Sequence, residues 1–307
     1  IISRNDSPDI PFAQSVNTYR GCEHGCVYCY ARPSHAYLDL SPGLDFEQKI
    51  FSKPDAATVL RRELSRPRYV CQPVTLGGNT DCWQPAERQL GITRQVLAVL
   101  AEFRHPVTVI TKSALIERDL DLLADLARDR LVDVLVSVTT LDDELKRRME
   151  PRTPGGRRRL ETVRRLAAAG IPCGVLAAPM IPGLNDHELE SILEAAAAAG
   201  AVYAGYVLLR LPHEVESIFV EWLEAQYPLK AAKVQSLIRQ SRQGALNDAK
   251  FGSRMRGTGP FAALLAQRFA AACRRHGLNR QSERELDTSR FRVPAGPGAQ
   301  YDLLAGL

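Results

Sequence analysis

From residue 73 to residue 209 the chain alternates short runs of β-branched and apolar residues with longer stretches whose apolar positions recur every third or fourth residue. The first pattern fits strands buried on both faces and the second fits helices with one apolar stripe, so the alternation predicts βα units and a parallel sheet. About six such units can be counted, with strands at residues 16–19, 73–77, 107–111, 132–138, 173–180 and 202–209. The run 132–138 is the clearest, being apolar throughout except at Asp133 and Ser137. Helices are predicted at 56–65 with Asp55 as N-cap, at 93–103, at 118–130, at 158–169 with Gly170 just past its end, and at 186–199 with Asn185 and Asp186 at its start. Beyond residue 214 the pattern is helical only, over 217–226, 231–242 and 261–276, and then runs into a Pro/Gly-rich tail.

Six βα units are too few to close an eight-stranded barrel. The expected fold is therefore α/β, a partial (three-quarter) TIM-type barrel with its mouth at the strand C-termini and a C-terminal helical extension. Two regions are expected: a core at 1–213 that includes an N-terminal cysteine loop, and a basic helical extension at 214–307. The chain starts at Ile1 without methionine, and residues 3–8 read as mid-protein loop, so residues upstream are expected to have been trimmed.

At 307 residues and 45% hydrophobic content the chain can bury one sizeable core. It has neither a run of about 18 apolar residues nor a signal-peptide pattern, so no membrane partner and no secretion are indicated, and the expected location is cytoplasmic. Seven cysteines, an odd number with three crowded together, read as metal ligands in a reducing compartment rather than as a disulfide framework. The net charge of +5 hides an asymmetry, because the stretch from Leu229 onward holds 14 basic and 5 acidic residues. A basic C-terminus is a footprint for nucleic acid, and equally a solvated helical surface.

The strongest chemical signal is Cys22-Glu23-His24-Gly25-Cys26-Val27-Tyr28-Cys29, which supplies three thiolates from one loop with the spacing C-x3-C-x2-C. A cubane 4Fe-4S cluster normally takes four thiolates, so three leave one iron open to a non-protein ligand. A Cys3His zinc knuckle using His24 or His35 is the competing reading, although structural zinc sites usually bring ligands in two separated pairs and no second pair follows.

This spacing, with an aromatic Tyr28 before the last cysteine, resembles the cluster loop of the radical S-adenosylmethionine (SAM) enzymes. The resemblance implies Cys22, Cys26 and Cys29 as metal ligands, and a 4Fe-4S cluster and SAM as cofactors. It also implies reductive cleavage of SAM to a 5'-deoxyadenosyl radical, and an electron donor such as flavodoxin or ferredoxin.

In parallel α/β folds ligands lie against the carboxyl ends of the strands. The strand at 73–77 exits through Gly77-Gly78-Asn79-Thr80-Asp81, where glycines let the backbone approach a ligand and the polar trio suits an amino group. The next exit carries Lys112, suited to a carboxylate. Ser137 ends the fourth strand, and its loop carries Glu150, an acceptor for a ribose hydroxyl, and Arg152, a holder of carboxylate or phosphate. The fifth leaves through Pro179-Met180-Ile181, an apolar ledge against which adenine can lie. The sixth ends in Arg210-Leu211-Pro212-His213. Under the resemblance, Asn79, Thr80, Lys112 and Ser137 hold the methionine end of SAM, while Tyr28 and the Pro179-Met180-Ile181 ledge frame the adenosyl end.

The set Cys26 to Tyr30, Thr80-Asp81, Thr111-Lys112, Ser137, Glu150-Pro151 and the run from Gly174 to Pro179 resembles spore photoproduct lyase and its broad "DNA repair photolyase" relatives. The phrases at residues 7–12 and 20–26 resemble one bacterial branch of that group. The likeness favours nucleic acid as the substrate class, with a protein or small molecule close behind. One departure matters: the lyase places a hydrogen-donating cysteine three positions before the Asp of its second-strand motif, and this chain has Gly78 there. Cys82 is then a candidate displaced donor and Tyr30 a candidate for tyrosine-mediated hydrogen transfer, while repair of the spore photoproduct itself is not expected. The glycine- and arginine-rich segment 251–260 either presents amides and guanidinium groups to a phosphate or covers the open side of the barrel. The rival class is a non-catalytic zinc-binding module that grips nucleic acid with its basic C-terminus.

Overall fold

The computed structural model describes residues 1–280 and 285–295; the end of the Pro/Gly-rich tail, from residue 296 on, lies outside the described residues. Its strands are β1 (Ile2–Arg4), β2 (Gln14–Val16), β3 (Tyr19–Arg20), β4 (Phe51–Ser52), β5 (Val74–Leu76), β6 (Val107–Thr111), β7 (Val132–Ser137), β8 (Cys173–Met180) and β9 (Tyr203–Leu208). Seven of them form one sheet in the order β1-β2-β5-β6-β7-β8-β9. From β2 to β9 every neighbouring pair is parallel, and helices connect β5 through β9, which is the mostly parallel layout of a partial TIM-type barrel.

The six parallel strands fall where the hydrophobic runs place them, with one shift. The first was expected at 16–19, but its ladder to β5 ends at the Val16–Leu76 pair, after which Asn17 turns its amide oxygen toward the Asn79 and Thr80 amides. Tyr19 and Arg20 instead pair antiparallel with Phe51 and Ser52 and lead into the cysteine loop. The start of the segment expected to be loop at 3–8 is strand: Ser3 and Arg4 belong to β1, whose antiparallel pairing to β2 is a long-range contact that local pattern does not encode.

The helical expectations need four corrections. Asp55 makes no side-chain cap. The helix expected at 118–130 is a 3-10 turn, Ala114–Asp119, capped by the Ser113 hydroxyl, followed by a helix at Leu120–Arg128. A further helix, Asp143–Met149, starts where Asp142 accepts from the Glu144 and Leu145 amides, in a stretch read as loop. Asn185 does not cap the next helix; its buried amide accepts from the Ile181 N–H and donates to the carbonyls of Thr139 and Pro179, lacing the exits of β7 and β8 together. Gly170 behaves as expected, at φ 71° just beyond the helix Gly156–Ala168.

Two apolar clusters organise the molecule. The larger fills the space between the sheet and its covering helices, including Val74, Val109, Val134, Val136 and Val175. In the second, Val215, Phe219, Leu223, Val234 and Ile238 of the helices Val215–Gln226 and Pro228–Gln240 pack with Cys26, Val27 and Tyr28 of the cysteine loop. The C-terminal helices therefore help bury that loop. Among the described residues no helix is long and apolar enough to cross a membrane.

Phe219 is fully buried at the centre of this second cluster. Phe219→Ala should destabilise the protein by about 3–5 kcal/mol, read as a lower urea midpoint.

Candidate active site

The loop after β3 carries Cys22, Cys26 and Cys29, none of them disulfide-bonded. Its conformation depends on bracing from two sides. On one side Gln84 accepts from the Glu23 amide at 2.9 Å and donates to the Gly21 carbonyl at 3.1 Å, while buried Arg32 donates to the carbonyls of Cys26, Pro42 and Gly43. On the other side the Val27 amide donates to the Met149 carbonyl at 3.1 Å and the Arg152 amide to the His24 carbonyl at 3.3 Å. Gly25 sits at φ 67°, with the Arg152 guanidinium where a Cβ would be, so no other residue fits this turn without strain.

The loop opens onto a cavity of about 430 Å³ at the carboxyl ends of the strands. The exits of β5 to β9 all contribute to its wall, and Asn5, Ile10, Phe12, Arg254 and Met255 add to the lining. A shallower depression of about 750 Å³ runs along the helix Pro228–Gln240, and no cysteine or histidine lines it.

Of the residues singled out from sequence, Cys22, Cys26, Cys29, Tyr28, Tyr30, Asn79, Thr80, Lys112, Ser137 and Pro179 line this cavity together. Asn79 is exposed, and its backbone and that of Thr80 are fixed on the Asn17 side chain. The Thr80 hydroxyl donates to the Tyr19 carbonyl at 3.0 Å and the Ser137 hydroxyl to the Ala178 carbonyl at 3.2 Å. The Lys112 ammonium lies 5.9 Å over the Tyr28 ring, and no carboxylate among the described residues pairs with it. The Tyr30 hydroxyl donates to the Gly78 carbonyl.

Five candidates stand elsewhere. Met180 and Ile181 are fully buried in the two apolar clusters, so only Pro179 of the predicted ledge faces the cavity. The cause is one extra residue in β8 between Ala177 and Met180, which turns Met180 off the cavity face. Cys82 is fully buried in the core with its sulfur 3.9 Å from the Val16 and Thr80 carbonyls, and burial pushes its thiol up to about 11. It is not among the residues that line the cavity. Glu150 is not free for a ribose: its carboxylate accepts from Arg159, from the Tyr28 hydroxyl and from Thr139 at 2.8 Å. Burial alone would raise this carboxyl, but the Arg159 and Lys112 cations outweigh that and hold it at about 2. Arg152 likewise pairs with Glu47 on the surface.

Two further residues shape the site in ways that sequence spacing does not signal. Asp81 is a junction rather than a ligand, accepting from the Trp83 and Lys112 amides and the Thr111 hydroxyl at 2.8–2.9 Å. Gly77, at φ 82°, brings its backbone against the Ile110 carbonyl of β6, so its missing side chain serves strand packing and not a ligand. His24 is buried with its Nδ1 3.4 Å from Asp81 and no hydrogen bond, and burial lowers its pKa to about 4. His35 packs between Phe46 and Phe51 with Nε2 on the Lys49 carbonyl.

Burial pushes all three cysteine thiols up, Cys26 to about 12, so they become thiolates only against a cation. Among the described residues no three His, Cys, Asp or Glu side chains gather around one point, as a single zinc ion requires. A cubane makes a different demand, since each thiolate takes its own iron, and three free thiols on one braced loop, two buried and Cys29 half-buried, suit it.

The family model of the radical SAM superfamily matches residues 16–196, the span from β2 through the helix after β8. This chain belongs to the radical SAM superfamily. Radical SAM proteins are enzymes that use a 4Fe-4S cluster and SAM, and the non-catalytic zinc module is set aside on this finding. An uncharacterized protein of Mycobacterium tuberculosis is 39% identical over 233 residues, covering 75% of this chain and 68% of that protein. One from Methanocaldococcus jannaschii is 26% identical over 220 residues, covering 71% of this chain and 78% of that protein. Among solved structures, spore photoproduct lyase complexed with dinucleoside spore photoproduct aligns at TM-score 0.63 and 16% identity, over 89% of this chain and 77% of that one. Streptococcus suis SuiB bound to S-adenosylmethionine aligns at TM-score 0.52 and 11% identity, over 86% of this chain and 48% of that one. At such identities the likeness is one of fold, and it matches the partial barrel seen in this radical SAM chain.

Glu150→Gln removes a charge from a fully buried ion pair and strands the Arg159 guanidinium, at a cost of about 3–5 kcal/mol in urea unfolding at pH 7. Because Glu150 is held below its ordinary value of 4.5, its contribution is present above that value and lost as pH falls toward about 2. The stability gap between wild type and Glu150→Gln should thus hold from pH 7 to about 5 and narrow below about 4.5.

Proposed function

We propose that Cys22, Cys26 and Cys29 hold a 4Fe-4S cluster with one iron open to SAM, and that a substrate in the cavity at the strand ends loses a hydrogen atom to the 5'-deoxyadenosyl radical. The observation that carries this reading is that the three thiols line the same cavity as the exits of β5 to β9. When bound, the cluster and SAM supply the reductive cleavage that generates the radical.

The chain's own groups would prepare that event. Lys112, a cation beside the cysteine loop in no ion pair among the described residues, would take the carboxylate of SAM, with Asn79 offering its amide to the amino end. Pro179 and the Tyr28 ring would bound the adenosyl end, and Glu150 positions that ring through its hydroxyl without touching the cofactor. The apolar stretches of the wall, Ile10, Phe12, Leu176 and Val207, would shield the reacting atoms from bulk solvent and hold the substrate close to the radical.

Tyr30 remains the candidate for hydrogen transfer, being on the cavity where Cys82 is not. A nucleic-acid substrate, a cytoplasmic location and a flavodoxin- or ferredoxin-type electron donor belong to the same proposal. So does a division into a core ending near residue 213 and a helical cover from 214 on.

Anaerobically reconstituted protein, reduced with dithionite and given SAM, should form 5'-deoxyadenosine by chromatography, and Cys26→Ala should form none. A Cys26→Ala protein that still forms it would remove this loop from the chemistry. Lys112→Ala should keep the cluster absorption and weaken SAM binding about ten- to a hundredfold by calorimetry.

A further inference from the structure

One cation on the cavity wall is left uncompensated by the fold. Arg210 leaves the end of β9 half-buried. Its Nε is buried without a hydrogen-bond partner, its Nη1 meets only the Met255 thioether at 3.7 Å, and its guanidinium lies 5.7 Å over the Tyr30 ring. No carboxylate among the described residues forms an ion pair with it. Asp9 is the acid that acts on it, and Asp9 is already committed, accepting from the Gly252 amide at 2.7 Å and from Arg254 Nε at 2.5 Å.

The neighbouring arginine is in the opposite condition. Arg254 is paired with Asp9 and Ser7 and packs 4.5 Å over the Phe251 ring. This pairing ties the segment after β1 to the loop whose Met255 carbonyl accepts from Leu208 of β9, so it joins the two edges of the open sheet. Arg254 therefore serves the fold, and its like charge adds to the burial that pushes the Arg210 pKa down. Two guanidinium groups share one carboxylate, and the surplus charge faces the cavity.

Unpaired, partly buried guanidinium donors cost free energy that the folded protein alone does not recover. A planar fork with free donors matches a carboxylate or phosphate bidentately. We propose that Arg210 anchors an oxyanion, phosphate or carboxylate, carried by the substrate, whose less polar portion lies against Phe12, Leu176 and Val207. This inference rests on the cavity being the substrate site of the radical enzyme, with the SAM carboxylate taken by Lys112.

The test uses the cluster-loaded, SAM-saturated protein, titrated by calorimetry with inorganic phosphate and separately with acetate at fixed ionic strength. Saturable binding of either anion is expected in the wild type, phosphate alone marking a phosphoryl group and acetate alone a carboxylate. Arg210→Met should weaken it about tenfold or more, and Arg210→Lys should restore part of it. Arg210→Met should also melt no lower than wild type, because it removes an unpaired buried charge. No anion binding in the SAM-saturated wild type, equal binding in Arg210→Met, or a lower melting temperature for that variant would each overturn the inference. The 5'-deoxyadenosine assay on wild type separates the two claims: product without anion binding sinks the anchor alone, and anion binding without product sinks the radical-enzyme reading.

Discussion

The arrangement of the site depends on one buried carboxylate. Glu150 sits between Arg159, which also holds the carbonyls of Ser137 and Pro154, and Tyr28, which belongs to the cysteine loop. A carboxylate in such a place would ordinarily be protonated, and the Arg159 guanidinium, helped by the Lys112 ammonium, keeps it ionised. Because it stays ionised it can accept from Tyr28, Thr139 and Arg159 at once, fixing the loop to the ends of β7 and β8. Three thiols in eight residues become a site only once that loop has a fixed place over the sheet.

Around this anchor the cavity divides its polar groups into spent and unspent. Asp81, the Thr80 and Ser137 hydroxyls and the Asn185 amide are consumed in joining strand exits, so the wall near them is rigid rather than available. Lys112 and Arg210 form no ion pair with a carboxylate among the described residues, although Lys112 acts on Glu150 from a distance. A largely apolar chamber with three thiols and two free cations is suited to a sulfonium cofactor bearing a carboxylate, to an anionic second ligand and to the exclusion of water.

Much of this was legible in the chain itself, for physical reasons. Strand β8 is buried on both faces and β6 and β7 are buried or half-buried along their whole length, so their hydrophobic runs are nearly continuous and locate them to within a few residues. The cysteine spacing is local, as is the aromatic at Tyr28. What failed was whatever depended on which way a side chain turns or on a distant partner. Met180 continues the alternation of Leu176 and Ala178 on paper, but a bulge reverses it. Cys82 follows Asp81 directly, and nothing in the sequence says that its sulfur enters the core. Glu150 looks free until Arg159 folds over it from the next helix. The N-terminal residues Asn5 and Phe12 reach the cavity through the pairing of β1 with β2, which no local pattern announces.

The most direct measurement is the electron paramagnetic resonance spectrum of the anaerobically reconstituted, dithionite-reduced protein with and without SAM. A three-thiolate loop with one open iron predicts a 4Fe-4S signal whose g values shift when SAM is added. A reduced cluster whose spectrum stays the same at saturating SAM would contradict it, because the iron at the cavity would then have no place for the cofactor.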